Sequence, residues 1–397
     1  MITGSSAIKR EKTKTDTTPR HNAKKLPWLA LFLLSIFFFF PLYSISADCI
    51  PYFSYKDGWY GGDGAYSIKL DEKRTLWIFG DTFVSGQQGR HDRIGMDVVL
   101  GTTLGISTCS ENGEFEIQYY VKKTNEKFIS SFSENEWLWP QDPFIANSTL
   151  YVPLLVVEAK PDMEGPFKFK IAGHKIAKIT NFEMTEPDRW IMDYIDLTPG
   201  IPEGITAFAT TSVSYQDHVY FYPFYASTKD IPMLYGNIIA RIPIDKLNDP
   251  VNAIEYFTKD GTWEKGLNPA KVKVVIDAGV SELSVRYHAD DKKWIAVYMS
   301  TRNNGDQLLY QVADRPEGPW SEPKVLLRTI PEVDPESTLY DKNNFCYAGK
   351  EHIEFTRGKN LVVSYVCNSF GDFQKDSSFI RKNLFLYRPV VRILSYN

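Results

Sequence analysis

Two aspartates at the open end of one predicted β-hairpin have the residue type and spacing that acid/base chemistry needs. The stretch from Gly61 to Phe83 contains two β-rich runs separated by a polar turn at residues 71–74. Residue 72 lies in that turn. Asp63 is nine positions before residue 72, and Asp81 is nine positions after it. If the hairpin folds about this turn, the two carboxylates lie side by side across the strand pair.

Opposed side chains in an antiparallel pair have Cβ atoms roughly 4.5–5.5 Å apart. Two like charges at that separation disfavour double ionisation, so one carboxyl keeps its proton to a higher pH than the other. Acid/base cleavage of a glycosidic bond requires such a pair. The alternative is that Asp63 and Asp81 are strand-end caps that accept hydrogen bonds from nearby backbone N–H groups.

The first 47 residues have the composition of an export signal. Residues 1–25 carry seven basic and two acidic side chains, and the 17 residues 27–43 are uncharged. Small residues at 44–47 predict a secretory signal that is cleaved after Ala47. The alternative is an uncleaved anchor, since 17 residues is the low end of a membrane span. In both cases we expect residues 48–397 to be secreted, periplasmic or displayed at the cell surface.

The charge of the exported part argues against a nucleic-acid partner. Residues 48–397 carry 38 basic and 47 acidic side chains, a net charge of −9. His and Cys residues do not cluster with metal-ligand spacing, and no phosphate-binding glycine loop is present, so we expect neither a metal nor a cofactor. We expect a monomer that meets a membrane only through its N-terminal segment.

Recurring β-rich runs predict an all-β fold, and their spacing predicts a five-bladed β-propeller over residues 48–397. The starts of successive runs are 74, 69, 76 and 67 residues apart, and each run follows a polar turn. A pair of β-sandwiches is the alternative. The runs are TLWIF from Thr75, TLYVPLL from Thr149, HVYFYPF from His218, WIAVYM from Trp294 and LVVSYV from Leu361.

A propeller brings the strand ends that precede these runs to one mouth, where polar side chains become candidates for substrate binding. Asp142 precedes the second run, Glu282 and Arg286 the fourth, and His352 the fifth, whereas the third offers no obvious acid. Each has a structural alternative: Asp142 as a turn residue, Glu282 and Arg286 as a solvated ion pair, and His352 as a core histidine.

The four cysteines of the exported part allow three disulfide connectivities. We favour Cys49 with Cys109, joining the leading segment to the first blade, and Cys346 with Cys367, within the last blade. An oxidising compartment permits both bonds.

Several motifs resemble those of the DUF4185 family, part of which is classified as glycoside hydrolase family 183, the endo-D-arabinanases. The resemblance covers most of residues 55–390, and FGDTF and RPEGPW are its more specific motifs. It implies a five-bladed propeller, a catalytic role for Asp63 and Asp81, and hydrolysis of furanoside linkages in arabinan-type polysaccharides. The chain departs from the family pattern at residues 97–103.

We therefore expect an exported glycoside hydrolase whose partner is a polysaccharide. One of Asp63 and Asp81 would donate a proton, and the other would act as base or nucleophile. Asp142 and Glu282 would tune pKa values or bind hydroxyls, and Arg286 and His352 would bind the sugar. The alternative is a carbohydrate-binding or cell-surface propeller without turnover, because a fold alone does not decide function.

Overall fold

A computed structural model describes residues 49–164, 167–227, 234–371 and 375–396. The described part is built from antiparallel strands with one short helix and four 3-10 turns, which confirms the all-β prediction. The predicted signal or anchor at 1–47 lies outside the described residues. In the described part, no helix has both the length and the apolar character needed to cross a membrane.

The chain begins with two small sheets whose strands alternate along the sequence. Their orders are β1-β4-β5 and β2-β3-β6-β7, and a separate hairpin, β8-β9, follows. The strands are β1 (Trp59–Gly62), β2 (Tyr66–Lys69), β3 (Arg74–Phe79), β4 (Thr82–Val84), β5 (Asp97–Val99), β6 (Thr103–Cys109), β7 (Phe115–Tyr120), β8 (Lys122–Thr124) and β9 (Lys127–Ile129).

The next sheet has the order β10-β12-β13-β14, with β11 also paired to β12. Its longest strands, β12 and β13, form one hairpin of eleven residues a side. The elements are β10 (Trp137–Pro140), β11 (Phe144–Ala146), β12 (Thr149–Ala159), β13 (Phe169–Ile179) and β14 (Met192–Asp196), with 3-10 turns at Pro187–Arg189 and Thr198–Gly200.

Two further sheets again draw their strands from one stretch of sequence, in the orders β15-β18-β19-β23 and β16-β17-β20-β21-β22. The elements are β15 (Ile205–Ala207), β16 (Ser212–Tyr215), β17 (His218–Phe221), β18 (Phe224–Ser227), β19 (Leu234–Ile238), β20 (Ala240–Pro243), β21 (Glu255–Phe257), β22 (Trp263–Lys265) and β23 (Val274–Ile276), with 3-10 turns at Ile244–Lys246 and Val251–Ala253.

The last two sheets are regular meanders, β24-β25-β26-β27 and β28-β29-β30. Their elements are β24 (Leu283–His288), β25 (Lys293–Met299), β26 (Leu308–Ala313), β27 (Lys324–Leu327), β28 (Asn344–Glu351), β29 (Asn360–Ser369), helix α1 (Phe379–Lys382) and β30 (Val390–Ser395). Each recurring run of the sequence is the second strand of its sheet, namely β3, β12, β17, β25 and β29. The repeat pattern therefore corresponds to equivalent structural positions.

Apolar side chains join each sheet to the next and the last sheet to the first. In the closing contact, Trp77 of β3 stacks on Phe355, which follows β28, with ring centroids 5.6 Å apart. Burial of this apolar area is the main driving force that holds the sheets in a closed series. In chain order, the joining clusters contain Ile78 with Val152, Tyr151 with Phe221, Tyr220 with Trp294, Val297 with Val363, and Trp77 with Phe355.

Both predicted disulfides are confirmed. Cys49 is bonded to Cys109 across 60 positions of sequence, and Cys346 is bonded to Cys367 across 21. Cys346 and Cys367 lie directly opposite each other in the β28–β29 ladder. The first bond ties the leading segment to β6, and the second ties two neighbouring strands of the last sheet.

A buried arginine that sequence reasoning missed anchors the C-terminal segment. Arg93 is fully buried, and its guanidinium donates to the carbonyl oxygens of Tyr60 at 2.7 Å, Ile380 at 2.9 Å and Leu386 at 2.6 Å. Burial lowers the pKa of Arg93 to about 10. Because the Arg93 side chain donates to the carbonyl of Tyr60 and to those of Ile380 and Leu386, it links β1 to the segment around α1.

We expect Arg93→Met to destabilise the fold on the order of 3 kcal/mol, since it leaves several buried carbonyl oxygens without a donor. Urea unfolding measures the free energy of unfolding. The control is Arg302→Met at an exposed turn, which should change that free energy by less than about 0.5 kcal/mol. Equal stability of the two variants would contradict the anchoring role.

Candidate active site

The backbone places Asp63 and Asp81 opposite each other. The N–H of Asp63 donates to the carbonyl of Asp81 at 3.0 Å, and the N–H of Gly80 donates to the carbonyl of Asp63 at 2.7 Å. This continues the register of the β2–β3 hairpin, in which Tyr66 pairs with Ile78. A Cβ at Gly80 would lie 3.1 Å from the Cβ of Asp63, so glycine lets the two strands approach at this point. The predicted placement of both aspartates at one end of the hairpin is confirmed.

Asp81 is held by three N–H donors that all bind one carboxylate oxygen. Its Oδ1 accepts from the backbone of Gly101 at 2.7 Å and from the indoles of Trp137 at 2.8 Å and Trp139 at 2.9 Å. Burial raises the pKa of Asp81 to about 6, and the three donors oppose that rise. Oδ1 therefore accepts a backbone hydrogen bond, as the strand-end cap alternative predicted. Oδ2 has no hydrogen-bond partner among the described residues.

Asp63 has a different environment. Its Oδ1 is buried without a hydrogen-bond partner, and the Tyr347 hydroxyl acts on the pKa of the carboxyl. Burial and then the charge of Glu282 raise the pKa of Asp63 to about 8, with a smaller contribution from Asp81. The Tyr347 hydroxyl and the Lys350 ammonium oppose this rise. At neutral pH Asp63 is therefore the protonated carboxyl and Asp81 the ionised one.

Glu282 and Lys350 complete the charge cluster. The Glu282 side chain is 22% exposed, and its Oε1 lies 3.7 Å from the Nζ of Lys350. The hydroxyl of Tyr66 lies 3.5 Å from the same oxygen, and Nζ lies 3.3 Å from the centroid of the Tyr66 ring. Gly64, at φ +59, makes room, because a Cβ there would lie 3.2 Å from Oε1. Burial lowers the pKa of Lys350, and Glu282 is the foremost charge that opposes this effect.

Asp142 and Arg286 form one buried pair. Arg286 donates to Oδ1 at 2.8 Å and to Oδ2 at 2.9 Å, in bidentate geometry. Thr211 and Ser212 donate to Oδ2 as well, both at 2.8 Å. The third recurring segment, in which sequence reasoning found no acid, thus supplies donors to Asp142. Arg286 pairs with Asp142 and not with Glu282, so the solvated ion pair considered from the sequence is not present.

His352 is a buried histidine whose two ring nitrogens are both occupied. Nδ1 lies 2.7 Å from the hydroxyl of Ser67, and Nε2 lies 2.7 Å from the hydroxyl of Ser364. Its ring contacts Trp77 with centroids 4.8 Å apart, and burial lowers its pKa. His352 does not line the cavity described below, and the partners on both of its ring nitrogens favour the core-histidine alternative.

A cavity of about 270 Å³ borders the carboxylate cluster. Glu282 and Tyr347, which both act on the pKa of Asp63, line it. Phe224, Met299 and Phe345 contribute apolar walls. An apolar cavity with a few convergent polar groups is the usual form of a small-molecule site.

Lys350, Tyr347, Trp137 and Trp139 were missed by sequence reasoning. Lys350 lies two positions before the candidate His352. Because side chains two positions apart in a strand share a face, this spacing could have made Lys350 a candidate as well. Tyr347 was hidden because β28 has a register shift between residues 347 and 350. The two tryptophans precede Asp142, but only tertiary packing brings their indoles to Asp81.

One possible metal-ligand group occurs among the described residues, away from this cluster. Ligand atoms of Glu332, Cys346 and Cys367 lie within 4.8 Å of one another. The two cysteines are joined in a disulfide, so they have no thiolates to offer a metal.

We expect Trp139→Phe to raise the pKa of Asp81 above its value of about 6, because the ionised form loses one N–H donor. Carboxyl ¹³C NMR titration measures this pKa without an activity assay, and Asp81→Asn identifies the resonance. Phe169→Leu is the control, because it alters the ring against Trp139 and removes no donor. An unchanged Asp81 pKa in the Trp139 variant would show that the indole bond does not act on the carboxylate.

One solved structure shares the fold. A candidate hydrolase from Bacteroides ovatus is similar with a TM-score of 0.61 and 17% identity, covering 85% of this chain and 86% of the other. A family 43 β-xylosidase/α-arabinofuranosidase from a compost metagenome has a TM-score of 0.45 and 13% identity, covering 88% and 96%. No curated protein sequence matches the chain significantly.

The resemblance to DUF4185 and glycoside hydrolase family 183 is wrong, because a different family model matches the chain. The motifs behind it serve local geometry: Gly80 of FGDTF permits close strand approach, and RPEGPW closes a turn in which the N–H of Gly318 donates to Arg315. Such motifs report strand ends and not a family. The segment 97–103, where the chain departs from DUF4185, carries the Gly101 N–H that holds Asp81. The match covers residues 48–396, and the chain belongs to the family described as Domain of unknown function (DUF5005).

Proposed function

We propose that this protein is a glycoside hydrolase that uses Asp63 and Asp81 as its acid/base pair. The observation that carries the proposal is the backbone pairing that opposes two buried carboxyls in unlike environments, which raise the pKa of Asp63 to about 8 and that of Asp81 to about 6. Pairs of carboxyls whose environments push their pKa values apart are typical of acid and base partners. The adjoining cavity of about 270 Å³ gives a sugar a place to bind.

In the proposed mechanism, protonated Asp63 donates its proton to the glycosidic oxygen as the bond to the anomeric carbon breaks. Ionised Asp81 acts through Oδ2, since Oδ1 is occupied by Gly101 and the two indoles. Asp81 either takes a proton from the attacking water or attacks the anomeric carbon itself, after which water hydrolyses the ester. Three donors on Oδ1 hold the carboxylate in one orientation for either route.

The other charged residues act on this pair or on the substrate. Glu282 lines the cavity, so it is placed to accept a hydrogen bond from a sugar hydroxyl while its charge keeps Asp63 protonated. The positive charge of Lys350 opposes the rise in the pKa of Asp63 that Glu282 causes. The bidentate pair of Asp142 and Arg286 is saturated, and we assign it the structural role of joining three sheets beneath the site.

We also propose that residues 48–397 form a five-bladed propeller exported by residues 1–47. Support for the blade count comes from the five recurring second strands and from the five apolar clusters that join successive sheets. Support for export comes from two disulfides, which persist in oxidising compartments. The polysaccharide partner follows from the proposed activity.

We expect Asp63→Asn and Asp81→Asn each to lower kcat/KM by about 10²–10⁴-fold, because each removes one proton-transfer group. Purified enzyme is assayed on arabinans, other furanosides and pyranoside glycans, with product analysis. Asp260→Asn at an exposed turn is the control and should keep full activity. Full activity in both site variants would end the assignment, and glycan binding without product release would favour the non-catalytic binding protein.

We expect kcat/KM to rise with pH through about 6, as Asp81 ionises, and to fall through about 8, as Asp63 loses its proton. Glu282→Gln removes a negative neighbour of Asp63 and should move the alkaline limb to lower pH. Lys350→Met removes a positive neighbour and should move the same limb to higher pH. Shifts in the same direction, or no shift in either variant, would contradict the acid role of Asp63.

A further inference from the structure

Three phenylalanines outside the acid/base site form a rim at the edge of the cavity. We define the aromatic rim as Phe167, Phe345 and Phe370. Phe345 and Phe370 are nearly parallel, with ring centroids 4.3 Å apart and planes 24° apart. Phe167 meets both from the side, with each centroid 6.3 Å away. Phe167 is 51% exposed and Phe370 is 39% exposed, so the rim offers aromatic surface to solvent.

The rim is continuous with the candidate active site at both ends. Phe345 lines the cavity and stacks on Tyr347, with centroids 5.4 Å apart, and Tyr347 acts on the pKa of Asp63. On the other side, Phe167 contacts Phe169, which packs against Trp139 at 4.5 Å, and the Trp139 indole binds Asp81. Unbroken ring contacts therefore run through the rim from Tyr347 to Trp139.

The rim also joins parts of the fold that are distant in sequence. Phe167 precedes β13 in the β12–β13 hairpin, whereas Phe345 lies in β28 and Phe370 follows β29. Exposed apolar side chains gathered from separate sheets at the edge of a cavity are typical of a ligand-binding surface. The faces of the rings are electron-rich, and the C–H groups on the face of a sugar ring are apolar and weakly positive.

We propose that the aromatic rim is a second sugar-binding subsite, which stacks on a neutral sugar unit next to the one in the cavity. This proposal rests on the proposed function for the identity of the glycan. The occupant is a neutral oligosaccharide that extends out of the cavity, because the rim is continuous with the cavity wall at Phe345. The rim binds sugar faces through aromatic contact and does not itself take part in bond cleavage.

The test compares Phe167→Ala, Phe370→Ala and the double variant on a single-sugar aryl glycoside and on trisaccharides of the same sugar. We expect the ratio of kcat/KM for the longer to the shorter substrate to fall about tenfold, mainly through KM. Phe370→Tyr keeps the aromatic face and should retain the wild-type ratio. Met184→Ala, which removes an 83% exposed apolar side chain elsewhere, is the control and should leave both activities unchanged.

A binding arm separates this proposal from the proposed function. Calorimetry with the Asp63→Asn variant measures the affinity for xylotriose, arabinotriose and galactotriose without turnover. If the affinity depends on the rim and the wild-type protein hydrolyses none of the glycans, the rim proposal is supported and the hydrolase proposal is overturned. Hydrolysis whose length dependence is unchanged by the rim variants would overturn the rim and leave the hydrolase. Failure of all three trisaccharides to bind would also overturn the rim.

Discussion

Two backbone hydrogen bonds between Asp63 and the Gly80–Asp81 segment set the geometry on which the candidate site depends. They lie beyond the Tyr66–Ile78 end of the β2–β3 ladder and bring two carboxyls to that end. A one-residue slip of register would turn one carboxyl to the opposite face. Gly80 keeps the strands close because it adds no Cβ against Asp63. Every other feature of the site acts on a pair that the backbone has already assembled.

The neighbouring sheets make the two carboxyls chemically different. Trp137 and Trp139 reach Asp81 from β10 and give its ionised form two donors, whereas Asp63 faces the charge of Glu282 from the segment before β24. Burial raises both pKa values, and the donors on Asp81 then hold its value below that of Asp63. The asymmetry is therefore a property of how the sheets meet and not of the hairpin alone.

The charged residues around Asp63 and Asp81 also come from different sheets. Lys350 from β28 lies behind Glu282 and over the ring of Tyr66. A buried ammonium in an apolar environment is costly unless opposite charges surround it. Lys350 is thus tolerated by the same carboxylates whose ionisation it affects, which links the stability of this region to its chemistry.

Sequence alone determined the local features of this protein. The alternation about the turn at 71–74 set the register that opposes Asp63 and Asp81, because a two-residue period and a turn position define a hairpin. The recurring runs identified the second strand of five sheets, and the blade boundaries they implied favoured both disulfides. Local motifs could not identify the family, since FGDTF and RPEGPW report strand-end geometry. Only the tertiary structure showed the partners of Trp139, Lys350 and Arg93, and the hydroxyls that contact both ring nitrogens of His352. These contacts could not be predicted from the sequence, because most of the partners lie far away along the chain and meet through packing between sheets.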